Sequence, residues 1–424
     1  MTEEETTAGS VGVATPGGVS RREAAGQRAF GALRVANFRF LLAGTMAASF
    51  AMWMNLVGQG WLVAKLTNSP FQLGLLQFIG GSTVLLVSPF AGGLSERFDR
   101  RLLSGMASSI IGVNALIIGL LIATGRIEMW HLYVIAVVGG LSSSIYAPVR
   151  QFMVYDAVGR AHLPNAIALN SMVSNMARVV GPGIAGFMLA FSVSSVFFGQ
   201  FLFFAVATLT LIPMRLDRTA PPAHEPVLTA IVEGARYLKR HRTLLRLLLL
   251  QAIPALLVFP YLQLVALMAK NYLHVGSAGY GWLQTGVGVG AFVGSLAVAY
   301  FGNIPRKGLI GSGALLLYMA MIFAFSFSRD YFLSLACLIS GGLGLVVFLT
   351  FNQTLLQLHL DDEYRGRVIS LYTMSSGLTP FGSLFMGFVA ERILGTPHTI
   401  AVFVAVALVL AFFSGLASKD IRRL

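Results

Sequence analysis

Long apolar runs dominate this chain, and they decide what it can fold into. A helix that crosses the hydrocarbon core of a bilayer needs about 20 predominantly apolar residues. The sequence contains twelve runs of this kind, at 39–65, 71–94, 102–124, 130–154, 165–190, 194–213, 244–269, 280–301, 308–327, 331–357, 367–390 and 398–417. They are too long for the strands of outer-membrane barrels and lack the alternating pattern of those strands. The runs therefore predict an all-α membrane protein with twelve transmembrane helices.

The balance of charged and apolar residues excludes an ordinary soluble fold. Charged residues make up 11% of the chain, against about 25% in soluble domains. So few charges cannot cover the surface of a soluble protein of 424 residues, whereas lipid can take the place of water around apolar side chains. The lipid bilayer is therefore the first partner that the sequence predicts. Residues 1–20 contain no apolar core of signal-peptide length, so we expect no secretory signal there.

The basic residues are distributed unevenly between the two ends of the runs. If the N-terminus lies inside, 24 of the 30 Lys and Arg residues fall on the cytoplasmic side, five lie at the outer ends and Arg178 lies within a run. This positive-inside bias predicts that both termini are cytoplasmic in a bacterial inner membrane. The same bias accounts for the net charge of +13, so we expect no nucleic-acid partner.

The longest connection between runs divides them six and six. Its second part has apolar residues at helical spacing and basic residues towards its end, which indicates a membrane-surface amphipathic helix or a solvated linker helix. Residues 168–172 (ALNSM) and 370–374 (SLYTM) open corresponding runs of the two halves, and six-helix repeats around a substrate site are a known transporter construction. The predicted organisation is a disordered cytoplasmic tail at 1–36, a six-helix bundle at 37–213, a linker at 214–243, a second six-helix bundle at 244–417 and a cytoplasmic tail at 418–424.

The connection between the second and third runs carries a recognisable motif. Residues 92–101, GGLSERFDRR, resemble the G-x-L-A-D-R-x-G-R-R signature of the major facilitator superfamily. Glutamate stands for the usual aspartate, and aspartate for the usual glycine, as in the efflux branch that includes macrolide-efflux-like and enterobactin-exporter-like proteins. Arginines can pair with carboxylates or with the C-terminal ends of helices. The resemblance implies a gating network formed by Gly92, Gly93, Glu96, Arg97, Asp99, Arg100 and Arg101.

The resemblance to this branch extends from about residue 37 to residue 417, and it implies two pseudo-symmetric six-helix bundles. Residues 178–186, RVVGPGIAG, resemble the G-P-x-x-G-G antiporter motif of the fifth helix, which is associated with exporters more than with importers. Proline kinks a helix, and glycines allow tight contact beside the kink. Arg178, Gly181, Pro182 and Gly186 are thus expected to form a hinge or a sealed contact between the repeats, with a purely structural kink as the alternative. The buried charge of Arg178 requires a polar cavity or a partner on another helix.

Resemblance to the superfamily also nominates the first, fourth, seventh and tenth helices as the lining of a substrate cavity. The polar and aromatic candidates on them are Trp53, Asn55, Gln59, Tyr146, Arg150, Tyr261, Gln263, Asn352, Gln353 and Gln357. Amides and aromatic rings suit a bulky amphipathic ligand better than a small anion that needs several cations. For each of these residues a helix–helix hydrogen bond is an equally good interpretation.

The predicted function is secondary active export of small amphipathic molecules, such as a drug, a macrolide or a siderophore, by alternating access. The resemblance implies protons as the coupling ion, although none of the 17 acidic residues falls near the middle of a run. An importer or a lipid flippase on the same fold, or a membrane sensor without transport, remains the alternative. The sequence contains no phosphate-binding loop and no zinc or Ser–His pattern, so we expect no enzyme, cofactor or metal. We expect a monomer.

Overall fold

The chain folds into α-helices joined by short connections. The computed structural model describes residues 31–214, 227–301, 305–361, 363–416, 418 and 421, with the backbone only at 89, 91–97, 160, 161, 227–231, 415 and 416. No β-strand occurs in these ranges. The predicted tails therefore lie almost wholly outside the described residues, as does the first part of the linker.

Fourteen α-helices follow one another along the described chain. They are α1 Ala36–Leu66, α2 Pro70–Arg97, α3 Arg100–Ala123, α4 Met129–Phe191, α5 Val193–Leu209, α6 Val227–Arg240, α7 Arg242–Leu257, α8 Tyr261–Asn271, α9 Ser277–Phe301, α10 Lys307–Phe327, α11 Tyr331–Leu358, α12 Arg365–Ser376, α13 Thr379–Val389 and α14 Thr396–Ala411. A 3-10 turn precedes α1, and π-helical turns at Ala390–Leu394 and Phe412–Leu416 follow α13 and α14.

The helical character of the predicted runs is confirmed. Nine described segments are long and apolar enough to cross a membrane. The fifth run, within 160–191, carries several polar residues and is not one of the nine, and the sixth corresponds to α5, a shorter apolar helix. The eleventh run is divided between α12 and α13. The all-α membrane fold is therefore established, whereas the count of twelve crossings stays a prediction.

Three of the predicted crossings are irregular for reasons that the sequence supplies. The fourth and fifth runs are two helices that meet at a kink at Gly159, where φ is 64° and the backbone is not helical, and the label α4 covers both of them. Glycine adopts such a positive φ without the penalty of a Cβ. The seventh run is interrupted between α7 and α8 at Val258–Pro260, because Pro254 and Pro260 lack the backbone N–H that would continue the hydrogen-bond ladder.

The helices associate as two halves of related construction. In the first half, α1 packs on α4 and α5, and α3 packs on the same two helices. In the second half, α9 and α10 both pack on α11, and α14 packs on α10 and α7. The halves meet where α4 contacts α9, where α2 contacts α13, and where α8 contacts α1 and α2. Such pairing of corresponding helices is typical of a transporter built from two repeats.

The bundle has two ends with different charge. Because consecutive long helices run antiparallel, the start of α1, the α2–α3 connection, helix α6 and the start of α10 lie together at what we call the arginine-rich end. The α1–α2 connection and the start of α9 lie at the distal end. Between the ends, the helices expose large apolar side chains such as Leu202, Leu316 and Val406. A surface of this kind is stable against lipid and not against water.

Helix α6 of the linker is packed on the second half. Gly234 lies against the backbone of Arg367 in α12, and Glu233 forms an ion pair of 2.8 Å with the side chain of that arginine. The Tyr237 hydroxyl donates to Asp361 at 2.9 Å, and its ring stacks on Tyr364. Burial, with help from the hydrogen bond to Asp361, raises the pKa of Tyr237. The amphipathic helix α6 is therefore packed against α12 and the residues that precede it.

Candidate functional site

A large cavity lies in the first half, towards the arginine-rich end. Its volume is about 860 Å³, and α1 and both parts of α4 form its wall. We call it the α1–α4 cavity; it is lined by Thr45, Ala48, Ser49, Met52, Tyr146, Ala147, Arg150, Gln151, Val154, Tyr155, Leu163, Ile167, Asn170, Ser171, Ser174 and Asn175. A volume in this range accommodates a drug-sized molecule. The candidates Tyr146 and Arg150 thus face the same space, together with the amides and hydroxyls that precede Arg178.

Arg150 is held rigidly at the wall of this cavity. It is 7% exposed, and its Nη2 donates to the backbone oxygen of Leu41 and to Thr45 Oγ1, at 2.7 Å each. The guanidinium lies 5.3 Å from the centre of the Tyr146 ring. A Cβ on Gly44 would lie 3.3 Å from Nη2, so the glycine leaves room for the arginine beside α1. No pattern in the sequence indicated these partners, which are 109 and 105 residues away.

A second, smaller cavity contains the candidates of α1. Trp53, Asn55 and Gln59 border a space of about 300 Å³ between α1 and the helices α2 to α5. Gln200 Oε1 and Asn114 Nδ2 reach the same space and have no hydrogen-bond partner among the described residues. Buried polar atoms without protein partners are commonly satisfied by water or by a ligand. Sequence reasoning missed Gln200, for which the available signal was a lone amide in an otherwise apolar helix.

The candidates of the second half are placed differently. Asn352 Nδ2 donates to the backbone oxygen of Leu247 at 3.0 Å, and Gln263 Nε2 donates to Ser383 Oγ at 2.9 Å. Tyr261 is buried against Tyr318 and Phe325. Gln353 and Gln357 share an exposed face of α11. For Asn352 and Gln263 the structure therefore shows the helix–helix hydrogen bond that the sequence left open as an alternative.

The antiporter-like motif lies at the contact between the halves. A Cβ on Gly186 would lie 2.6 Å from the Cα of Gly281 in α9, and a Cβ on Gly288 would lie 2.5 Å from the backbone oxygen of Arg178. Only residues without side chains allow backbones to approach so closely. Together with Pro182, which lies inside α4, these glycines form the α4–α9 contact. The motif is thus found between the repeats, where a hinge or a sealed contact was expected.

Arg178 contacts the first helix, and no acid among the described residues forms an ion pair with it. Its guanidinium lies 5.5 Å from the centre of the Trp53 ring, and a Cβ on Gly181 would lie 2.8 Å from the Cβ of that tryptophan. The buried Nε of Arg178 has no hydrogen-bond partner among the described residues. A cation over an aromatic ring gains about 0.5–2 kcal/mol. Arg178 and Trp53 therefore connect the antiporter-like motif with the smaller cavity.

The gating motif is only partly within the described side chains. Residues 92–97, which include Gly92, Gly93, Glu96 and Arg97, contribute the last turn of α2, and nothing is described of their side chains. Asp99 caps α3 by accepting from the backbone N–H groups of Arg101 and Leu102. Arg100 forms a buried ion pair of 2.6 Å with Asp156 of α4.

Arg101 donates to the backbone oxygens of Met214, at 2.7 Å, and Ile212, just beyond the end of α5. This arginine therefore contacts carbonyls that follow a helix C-terminus, where a cation is electrostatically favoured. The described part of the motif joins α3 to α4 and to the chain after α5, all within the first half.

Polar contacts at helix ends join the halves at the distal end. Glu391 Oε2, beyond α13, accepts from the backbone N–H of Phe71 at 3.1 Å and from the hydroxyl of Ser69, at the start of α2. Lys270 Nζ of α8 donates to the backbone oxygen of Ala64 near the end of α1 at 2.6 Å. A carboxylate at a helix N-terminus and an ammonium at a C-terminus are both favourable. The partners in these contacts are more than 200 residues apart, so no local pattern in the sequence could indicate them.

The comparisons with known proteins agree with this architecture. The family model described as transmembrane secretion effector matches residues 27–421. The staphyloferrin A transporter of Staphylococcus aureus (strain NCTC 8325 / PS 47) is 24% identical, over 82% of this chain and 88% of that protein. The enterobactin exporter EntS of Shigella flexneri is also 24% identical, over 77% of this chain and 80% of its own length.

Among solved structures, a bacterial homolog of the human lysosomal transporter Spinster, in an inward-facing and occupied conformation, superposes with a TM-score of 0.70. It is 14% identical, and the match covers 93% of this chain and 98% of that one. This likeness shows the fold alone, while the family model extends over nearly the whole sequence. The chain is therefore a membrane transporter and not an enzyme, and it belongs to the transmembrane secretion effector family of the major facilitator superfamily.

Proposed function

We propose that this protein is a secondary active exporter that moves small amphipathic molecules out of the cytoplasm by alternating access, with protons as the coupling ion. The observation that carries the proposal is the asymmetry between the two ends. Glu391 and Lys270 join the halves at the distal end, whereas the α1–α4 cavity lies towards the arginine-rich end. A transporter that alternates between two openings has a state of this kind.

The direction of the opening follows from the positive-inside bias. That bias places the arginine-rich end and both termini in the cytoplasm, in a bacterial inner membrane. The state described here then faces the cytoplasm, from which an exporter must load its substrate. The antiporter-like motif and the relatives with export in their names support the same direction. We propose further that one chain works as a monomer, because the α1–α4 cavity is formed by one half of a single chain.

We propose Glu391 as the residue that responds to the coupling proton, because of its position between the two halves rather than because of burial in the membrane. Asp156 lies towards the arginine-rich end, paired with Arg100, and Glu391 lies at the distal end across the two halves. Protonation of Glu391 would weaken its contact with the N-terminus of α2, because a neutral carboxyl gains less from the helix dipole. We therefore expect an uncharged side chain at position 391 to loosen the closed distal end.

Everted membrane vesicles test the direction and the energy source. Two xanthene dyes of similar size, the anionic 5-carboxyfluorescein and the cationic rhodamine 6G, are offered to vesicles energised by respiration. Export predicts that vesicles with the protein accumulate at least one dye and release it when a protonophore is added. Accumulation only in right-side-out vesicles would instead support the importer. Failure of both dyes, at verified protein content, would contradict the proposal.

Accessibility of introduced cysteines tests alternating access. The chain has one cysteine, Cys337, which is 4% exposed and gives a low labelling background. A cysteine at Ser171, in the α1–α4 cavity, is expected to react with an impermeant maleimide from the cytoplasmic side. A cysteine at Ser69, at the distal contact, is expected to react from the outside, but more slowly than the Ser171 variant reacts from the cytoplasm. Its reaction should become faster when Glu391→Gln is added. Equal reaction of the Ser171 variant from both sides would show a channel.

A further inference from the structure

The charge of Arg150 is incompletely satisfied within the protein. Its Nη2 has two acceptors, but its buried Nη1 has no hydrogen-bond partner among the described residues. A guanidinium cannot lose its proton, so the charge persists at any physiological pH. A buried charge without a counter-ion is strongly unfavourable unless a ligand or water completes its coordination. The Nη2 group therefore holds the arginine in place, and the Nη1 group is available to donate to a ligand.

The described residues around the α1–α4 cavity supply no counter-charge for Arg150. None of the described residues that line the α1–α4 cavity, on α1 or on either part of α4, is acidic. Asp156 lies six positions further along α4 and is paired with Arg100 at 2.6 Å. Tyr146, whose ring faces the guanidinium and whose hydroxyl lies near it, is an uncharged neighbour. The cavity is consequently a positively charged compartment with room for a molecule.

The other polar groups of the cavity indicate which chemical groups a bound molecule would carry. The Tyr146 hydroxyl and Asn170 Oδ1 are buried, line the same cavity and have no hydrogen-bond partner among the described residues. A hydroxyl can donate to an anionic oxygen, and an amide oxygen can accept from a hydroxyl or an amine. Ala48, Met52 and Val154 supply apolar wall between them. The three unsatisfied groups thus match a ligand with an anionic oxygen and a neighbouring donor.

We propose that Arg150 binds a carboxylate or similar delocalised oxyanion of the transported molecule, so that the substrates are organic acids with hydroxyl or amine groups. This inference rests on the proposed transport function and narrows its substrate class. Arginine suits the role because its planar fork pairs with carboxylates in a fixed geometry. An anionic lipid headgroup has the same chemistry, and the test distinguishes it from a soluble substrate.

Binding to the purified protein tests the proposal without any gradient. The full chain is reconstituted in nanodiscs of phosphatidylcholine, and fluorescence anisotropy reports 5-carboxyfluorescein and rhodamine 6G. We expect wild type to bind carboxyfluorescein saturably and Arg150→Gln to weaken that binding at least about tenfold, as loss of a hydrogen bond to a charged group does. Arg150→Lys, which keeps the charge, should recover part of the affinity. Rhodamine binding should not weaken in either variant.

A matched control separates the anion site from a general effect of charge. Arg329 lies over the Tyr272 ring, as Arg150 lies over Tyr146, but it is exposed at the distal end. Arg329→Gln should leave carboxyfluorescein binding unchanged. Equal losses for both dyes in Arg150→Gln would show a structural role and overturn the proposal, and so would carboxyfluorescein binding that is absent or independent of Arg150.

The lipid is varied to identify the source of the anion. Replacement of phosphatidylcholine by phosphatidylglycerol should change the carboxyfluorescein affinity equally in wild type and Arg150→Gln. If phosphatidylglycerol instead displaces the dye only when Arg150 is present, a lipid headgroup occupies the site and the proposal fails. If the dye binds through Arg150 but neither dye enters everted vesicles, the proposed export is wrong and the anion site stands.

Discussion

The two halves of this transporter both place polar side chains within apolar helices, but several of those in the first half line the α1–α4 cavity, whereas several of those in the second half bond neighbouring helices. In the first half, Arg150, Tyr146 and Asn170 face a cavity and keep buried atoms without partners among the described residues. In the second half, Asn352 and Gln284 donate to backbone oxygens of neighbouring helices. Buried polar groups at a cavity that lack a protein partner can bind water or a ligand, whereas groups that are already hydrogen-bonded hold helices together. On this comparison we propose that the first half recognises the substrate and that the second half supports the fold.

A substitution at the contact that both halves share should have the largest effect. Gly186→Leu places a side chain where even a Cβ would lie 2.6 Å from the Cα of Gly281, so α4 and α9 must separate. We expect uptake into everted vesicles to fall to background. Gly313→Leu in α10 is the matched control, because nothing lies within 4 Å of a Cβ at that position. Normal transport by Gly186→Leu would mean that the α4–α9 contact is dispensable and that the halves work independently of it.

The sequence allowed this contact to be predicted but not the division of labour between the halves. The glycines and the proline at 181–186 have a local signature, because close backbone approach demands residues without side chains. The helices that carry the cavity candidates are apolar on every face, so periodicity could not indicate which side faces a cavity. Gln353 and Gln357 were nominated together with Tyr146 and Arg150, yet they lie on an exposed face of α11.

The partners of charged groups were equally hidden from the sequence. Glu391 meets the start of α2 across 320 residues, and Arg150 meets Thr45 across 105. Contacts between distant segments depend on how the helices pack, and one sequence contains no record of that packing. Asp156 could be named as an acid at a helix end, but its pairing with Arg100 required the structure.

Substitution of one asparagine in each half tests the difference between the halves, with a smaller expected effect than Gly186→Leu. Asn352→Ala removes the donor that joins α11 to Leu247 of α7, so we expect a loss of about 1–3 kcal/mol in unfolding free energy. The KM for dye uptake should stay at the wild-type value. Asn170→Ala should do the reverse, raising KM while unfolding in detergent by denaturant is unchanged. If both variants lose stability and keep KM, the polar groups of the two halves are equivalent and the comparison is wrong.

The smallest and most selective effect is expected from removing a single hydroxyl in each half. Tyr146 and Tyr318 both have a buried hydroxyl without a hydrogen-bond partner among the described residues. Tyr146 lines the α1–α4 cavity, whereas Tyr318 packs against the rings of Tyr261 and Phe259. Tyr146→Phe should therefore raise the KM for 5-carboxyfluorescein by about 2- to 10-fold, the range for one hydrogen bond. Tyr318→Phe removes the same atom from a packed interior, where an unsatisfied hydroxyl is a cost, and should leave KM unchanged with equal or higher stability. Since the chemical change is identical, a rise in KM for the Tyr318 variant, or none for the Tyr146 variant, would locate recognition outside the first half.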